Sequence, residues 1–279
     1  MPELPEITAH AERLDEAFRG AVLARFEPLH LSALKTFDPN PKDAVGQGLT
    51  GVGHRGKYLL LAFGEELTFV VHLMQGGRLR PDPKQSRKPR GGMARWVFDD
   101  GGALLLSEAG TERRAGVWLV RGDATEVAPL TDLGPDASLV TPEEFADALL
   151  AERTRLHGFL RRQGPIAGIG RLLANEILHT AKLSPFALTT SLTPDQVAHL
   201  HAVIVSVVDA ATAHERTLSE IGKSAERPNR VHHRVGDDCE VCGDVVRSVE
   251  YKRYTVAYCA TCQTDGKVLA DNTTSKFLK

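Results

Sequence analysis

Residues 239–262 read Cys239-Glu240-Val241-Cys242 and, after sixteen intervening residues, Cys259-Ala260-Thr261-Cys262. These are all four cysteines of the chain. Two Cys-x-x-Cys pairs at this separation match a tetrahedral thiolate zinc site better than disulfides or a redox pair. Four thiolates fill the tetrahedron and leave no open position for a catalytic water, so the expected Zn2+ braces a fold and does no chemistry. Residues 226–279 are therefore expected to form a zinc-binding hairpin and a tail.

Working back from that hairpin, Thr141-Pro142-Glu143-Glu144 and Thr193-Pro194-Asp195-Gln196 are both capping boxes with proline at the first helical position. Apolar residues follow each at helical spacing, which predicts a mainly helical domain over 141–225. Residues 123–140, with Pro129 and the run Gly134-Pro135-Asp136, read as a linker. Before it lie short apolar runs at 58–63, 67–73, 95–98, 103–106 and 116–120, with a hairpin signal at Asp99-Asp100-Gly101-Gly102. Ile7, Ala11, Leu14 and Phe18 predict a leading amphipathic helix over 6–19, with Pro5 and Gly20 at its ends. The expected fold class is α+β: an N-terminal antiparallel β-sandwich domain over 1–122, then a helical domain and a zinc hairpin.

A chain of 279 residues suits about two domains. Its start resembles no secretory signal and no run is expected to be long enough to cross a bilayer, so a soluble, cytoplasmic monomer is expected. A net charge of -2 does not announce a polyanionic partner. Charge is uneven, however. Residues 78–95 hold seven cations against the single acid Asp82, and a second basic cluster comprises Arg153, Arg155, Arg161, Arg162 and Arg171. Either run, taken alone, is equally a solvated face.

The chain opens Met1-Pro2-Glu3-Leu4-Pro5-Glu6. Removal of Met1 before a small residue would free the secondary amine of Pro2. An α-amino group titrates at roughly 7.7–8.0, against about 10.4 for lysine, so a useful fraction is unprotonated near neutrality. Such an amine can attack a sugar C1′ and form an iminium directly. Glu3 adjoins it as a proton donor and acceptor. Met-Pro openings and first-turn glutamates are also ordinary features of helix starts, so these residues alone leave catalysis at Pro2 open.

Met1 to Glu6 together resemble the opening of formamidopyrimidine-DNA glycosylases, in the superfamily shared with endonuclease VIII. Further likenesses follow in order: His54-Arg55-Gly56-Lys57-Tyr58-Leu59; His72-Leu73 with Gly77 and Leu79-Arg80; Gln163 with Ile166-Ala167-Gly168-Ile169-Gly170 and Glu176; and Val231-His232-His233-Arg234 before the two cysteine pairs. The resemblance implies a bifunctional DNA glycosylase/AP lyase acting on oxidised bases in damaged double-stranded DNA. It makes Pro2 the nucleophile, Glu3 the general acid/base and Lys57 a cation beside the reacting sugar. It also implies a helix-two-turn-helix element in which Gly170 and Arg171 meet a phosphate, and a zinc finger in which Lys252 or Arg253 grips the backbone. His72, Gln75 and Arg113 would enter the duplex. Taken alone, Lys57 reads first as a solvated lysine at a strand start.

Departures from the family bear on the substrate. Gln75 stands where a methionine usually fills the void left by a flipped base. Thr111-Glu112-Arg113-Arg114-Ala115-Gly116 replaces Asp-Pro-Arg-Arg-Phe-Gly, so Arg113 can still probe the orphaned base while Ala115 lacks the aromatic wedge. Arg171 replaces an asparagine, and Tyr254 takes the spacing of the family arginine, which makes Arg253 the expected substitute. These changes point away from a standard 8-oxoguanine preference. They also keep open a family member that binds lesions or abasic sites with weak or lost glycosylase activity.

Overall fold

A computed structural model describes residues 1–222, 227–251 and 254–269. The chain divides into two compact units: residues 1–132 with 219–221, and residues 133–218 with 222 onward.

The first unit opens with helix α1 (Leu4–Phe18), which starts two residues earlier than its apolar spacing suggests. Glu3 is the N-cap, and its backbone N–H donates to Glu6 Oε2 at 3.0 Å. Gly20, at φ +89°, ends the helix in the left-handed region that a glycine enters at no steric cost. Eight strands follow: β1 (Leu23–Pro28), β2 (Leu49–Arg55), β3 (Tyr58–Phe63), β4 (Leu67–His72), β5 (Gly77–Pro81), β6 (Gly92–Phe98), β7 (Ala103–Glu108) and β8 (Gly116–Arg121). They form two four-stranded antiparallel sheets, ordered β1-β6-β7-β5 and β2-β3-β4-β8.

Aromatic rings join the sheets. Phe69 of β4 meets Trp96 of β6 edge-on at 5.6 Å and Phe26 of β1 at 5.2 Å, and Phe63 of β3 packs on Phe69 at 5.6 Å. Such rings bury large apolar areas and prefer tilted contacts, so this cluster is the centre of the sandwich. The core also takes in Ile221 from the far end of the sequence.

In the second unit the expected capping boxes form. Thr141 and Glu144 exchange bonds of 2.9 and 3.2 Å at the head of α2 (Pro142–Leu150). Thr193 and Gln196 do the same at 3.0 and 3.3 Å at the head of α5 (Pro194–Arg216). Between them lie α3 (Leu156–Leu160) and α4 (Arg171–Thr180), and β9 (Val246–Tyr251), β10 (Tyr254–Cys259) and α6 (Ala260–Thr264) complete the unit. The stretch read as a linker is divided: residues 134–137 pair with the α3–α4 connection, through Gly134 N to Gln163 O at 2.9 Å and Ala167 N to Pro135 O at 2.8 Å. The expectation that no segment reaches bilayer length is corrected for α5, which is long and apolar enough by length and composition. Its Val197, Leu200, Ile204 and Val208 are buried inside the unit, where it packs against α2 and α4.

His10 lies buried in the first unit with Nε2 2.8 Å from the Leu79 carbonyl oxygen. Burial lowers its pKa from 6.5 to about 4, against the opposing pull of that carbonyl. The unfolded chain takes up a proton below 6.5 that the folded chain refuses until about 4, so stability is lost as pH falls through this window. The full effect is about 3 kcal/mol. His10→Gln is expected to make the fall of the thermal midpoint between pH 6.5 and 4 shallower, and an unchanged slope would contradict this.

Candidate active site and metal centre

A ladder of contacts fixes strand β2 against helix α1. Arg19 Nη1 donates to the Thr50 carbonyl at 2.5 Å, Val52 N–H donates to Asp15 Oδ1 at 2.7 Å, and Thr8 Oγ1 lies 3.1 Å from His54 Nε2. Each step along the strand moves back one or two turns along the helix. The ladder therefore runs toward the head of α1 as β2 approaches its turn into β3, and both strands pack on the helix. Lys57 occupies that turn, after Gly56 at φ +55°, and only 6% of its surface is exposed. Pro2 is buried at the head of α1, and Glu3 beside it is 5% exposed.

The Glu3 carboxylate accepts the Glu6 backbone N–H, which closes a capping box at the helix start. The Lys57 charge reaches His72, at the end of β4. Burial first, and then Lys57, pushes the His72 pKa down to about 4, so its ring is neutral near pH 7. That ring packs against Tyr58 at 4.5 Å, and its Nδ1 accepts the Met74 N–H at 3.1 Å.

The β4–β5 turn that begins there exposes Gln75 at its tip. Gly77 makes this turn possible, because a Cβ at that position would lie 2.0 Å from the Leu73 carbonyl oxygen.

The sequence gives Glu6 and Arg78 no partners, and the fold supplies them. Glu6 is buried and bonds the Glu3 N–H, and its charge and that of Glu220 act on Arg78 of β5. Arg80 bonds Glu220 at 2.5 Å. No local signal could assign Glu220 to this group, since it arrives from the distant segment 219–221.

The basic run at 78–95 is partly structural. Arg95 is buried and satisfied by Asp82 at 2.8 Å, Glu27 at 2.8 Å and the Ser86 carbonyl at 2.8 Å. Arg113 is half-buried, with Nη1 3.4 Å from the Gly92 carbonyl oxygen. Ala115 is buried in the sandwich core and its N–H bonds Glu108 at 2.7 Å, so this position faces inward.

In the second unit Gln163 holds the α3–α4 connection. Its amide donates to the carbonyls of Arg161 and Ile169 at 2.8 and 2.9 Å and accepts the Gly168 N–H at 2.9 Å. Gly168, at φ +98°, turns the chain so that Gly170 becomes the N-cap of α4 and Arg171, exposed, its first residue. The Glu176 carboxylate accepts three successive backbone N–H groups, those of Arg230, Val231 and His232, at 2.7–3.1 Å. Gln163 and Glu176 thus orient the element from within. Lys252 and Arg253 lie outside the described residues.

The sulfur atoms of Cys239, Cys242, Cys259 and Cys262 all lie within 4.8 Å of one another. Two pairs, Cys239 with Cys262 and Cys242 with Cys259, stand at 3.9 and 3.4 Å. Tetrahedral coordination at a metal–sulfur distance of about 2.3 Å places sulfurs roughly 3.8 Å apart, so the four fit a thiophilic ion. His179 Nε2, 3.3 Å from Cys239 Sγ, is placed to support that ligand, and Gln263 ties the knuckle to the helices through Cys259 N–H and the Leu183 carbonyl, each at 2.9 Å.

Comparison with known proteins matches residues 1–118 to the formamidopyrimidine-DNA glycosylase N-terminal domain and residues 133–222 to the formamidopyrimidine-DNA glycosylase H2TH domain. A formamidopyrimidine-DNA glycosylase of Symbiobacterium thermophilum is 30% identical, with 94% of this chain and 89% of that protein covered. An uncharacterized formamidopyrimidine-DNA glycosylase-like protein of Mycobacterium tuberculosis is 42% identical over 53% of this chain and 94% of its own length. The fold is shared with a Lactococcus lactis enzyme solved in complex with Fapy-dG-containing DNA, at a TM-score of 0.84 and 22% identity over 94% of this chain and all of that one. The same protein solved with AP-site DNA gives a TM-score of 0.82.

Metal analysis of the purified chain is expected to find a thiophilic ion held by the cysteine cluster. Cys259→Ser is expected to lose it and to lower the thermal stability of the second unit. A variant that keeps full metal content would contradict the four-sulfur assignment.

Proposed function

Because the chain belongs to the formamidopyrimidine-DNA glycosylase family, in the superfamily shared with endonuclease VIII, we propose that it is a bifunctional base-excision-repair enzyme. It removes oxidised bases from damaged double-stranded DNA and then cuts the strand through a Schiff base on Pro2. The observation that carries this reading is the burial of Glu3 at the head of α1, next to Pro2, on the helix against which the Lys57 hairpin is docked.

Loss of Met1 frees the Pro2 nitrogen, whose lone pair attacks C1′ of the damaged nucleoside. The N-glycosidic bond breaks, the base leaves with the electron pair of that bond and takes up the proton shed by the Pro2 nitrogen, and Glu3 supplies the proton that opens the sugar at O4′. The product is an iminium between Pro2 and C1′. Loss of a C2′ proton then expels the 3′ phosphate, and a second elimination expels the 5′ phosphate. Water finally releases the amine. Lys57 is the cation that orients the sugar and its phosphate beside this centre, and His72, neutral near pH 7, adds no competing charge there.

Binding of the duplex is shared by further residues. Gly170 and Arg171 present backbone N–H groups, the helix dipole and a guanidinium to a phosphate at the head of α4. Gln75, at the exposed tip of its turn, fills the void left by the base, and Arg113 meets the orphaned partner. Lys252 and Arg253 grip the flanking backbone from the zinc hairpin. The ion held by the four cysteines is Zn2+, in a structural role.

Borohydride reduction during reaction with 8-oxoguanine, formamidopyrimidine, oxidised-pyrimidine or abasic duplexes is expected to trap the chain covalently on at least one of them. Pro2→Gly is expected to reduce trapping on the order of a hundredfold or more. Binding to abasic duplex with neither trapping nor strand cleavage would instead mark a lesion-binding protein.

A further inference from the structure

Leu31 is 101% exposed, at the apex of a tight turn closed by Ala33 N–H on the His30 carbonyl at 3.0 Å. Turn apices ordinarily carry Pro, Gly, Asn, Asp or Ser, which makes a fully solvated leucine there a matter to explain. The turn is anchored on both sides. Before it, the N–H groups of Leu29 and His30 donate to the Met93 carbonyl at 3.0 and 3.1 Å. After it, the Ser32 hydroxyl donates to the Arg113 carbonyl at 3.2 Å, with His30 Nδ1 2.8 Å from the same hydroxyl. Arg113 in turn reaches Gly92, beside Met93. Leu31 is thus held next to Arg113, the residue assigned to the orphaned base, on a turn with three points of attachment.

We propose that Leu31 is the apolar wedge of this enzyme, the side chain that enters the opened base stack beside Arg113 when the damaged nucleotide is turned out. Ala115 cannot serve, because it is small, buried and bonded to Glu108. A duplex opened at one step exposes apolar base faces, and an aliphatic side chain inserted there keeps the gap from closing. The inference rests on the glycosylase reading given above.

Phe37, 93% exposed, provides an internal control. Residues 33–36 run alongside 117–119 in the same direction, through Val117 N to Ala33 O, Lys35 N to Val117 O and Leu119 N to Thr36 Oγ1, each at 2.8 Å. Phe37 therefore leaves this strip four extended residues, roughly 13 Å, past Ala33 and away from Arg113.

The test compares wild type, Leu31→Ala, Leu31→Phe and Phe37→Ala in single-turnover base excision from a lesion duplex carrying 2-aminopurine next to the lesion. Leu31→Ala is expected to slow excision roughly tenfold and to lose most of the fluorescence rise that reports unstacking. Leu31→Phe should restore both, and Phe37→Ala should match wild type. The Leu31→Ala defect should shrink on single-stranded abasic DNA, where no stack has to be held open. An active wild type matched by Leu31→Ala in both duplex readouts overturns the wedge alone. A wild type with no excision and no trapping on any substrate overturns the glycosylase reading and the wedge with it.

Discussion

The bond from Val52 N–H to the Asp15 carboxylate, 2.7 Å long, sets the register on which the first unit depends. A strand slipped by one residue turns every side chain to the opposite face, so register errors are not graded. This bond and the Thr8–His54 contact farther along hold β2 in one alignment on α1. Arg19 supports the same carboxylate at 2.7 Å, and together with the Val52 bond it holds Asp15 below the usual carboxylate range against the opposing effect of burial. The β2–β3 hairpin is thereby docked on the helix, its strand running toward the helix head as it nears the turn. A chain terminus and a turn are both mobile by default, and the burial of Pro2 and Lys57 removes that mobility.

The second unit follows a related rule with different parts. Its α3–α4 connection is a loop whose polar groups are satisfied from within. Gln163 does this with three bonds, and Glu176 accepts three consecutive N–H groups of the segment leading to the cysteine knuckle. Asn175, the neighbour of Glu176, lies 2.8 Å from His232 Nδ1 and adds a second tie to that segment. Gln263 closes the arrangement from the far side of the metal site. The cysteine cluster and the segment before it are thus tied to the helices, through Gln263 to the Leu183 carbonyl and through Glu176 of α4.

How much could be read beforehand depended on whether the signal was local. Capping boxes, Cys-x-x-Cys pairs and the Asp99–Gly102 hairpin are short-range chemistry, and each forms in the structure as its residues suggest. Apolar patterning alone does not mark strands β1, β2 and β5, because Leu23–Pro28 mixes charges with apolar residues, Leu49–Arg55 carries Gly51 and Gly53, and Gly77–Pro81 begins and ends in turn residues. Long-range partners were hidden altogether. Glu220 beside Arg80 and Ile221 in the sandwich core are contacts that only the folded chain creates. The inward-facing Ala115 has the same lesson: the resemblance marks a missing aromatic ring, whereas only the fold shows that the position is buried in the core.

The central claim is that the reacting group is the imino nitrogen of Pro2 at the mature terminus. The most direct measurement is mass spectrometry of the reduced protein–DNA adduct after proteolysis, with the intact mass of the unreacted chain as reference. The account predicts a chain lacking Met1 and a sugar remnant carried by the peptide that begins at Pro2. A remnant mapped to Lys57 or another lysine, or Met1 still attached in active protein, would contradict it.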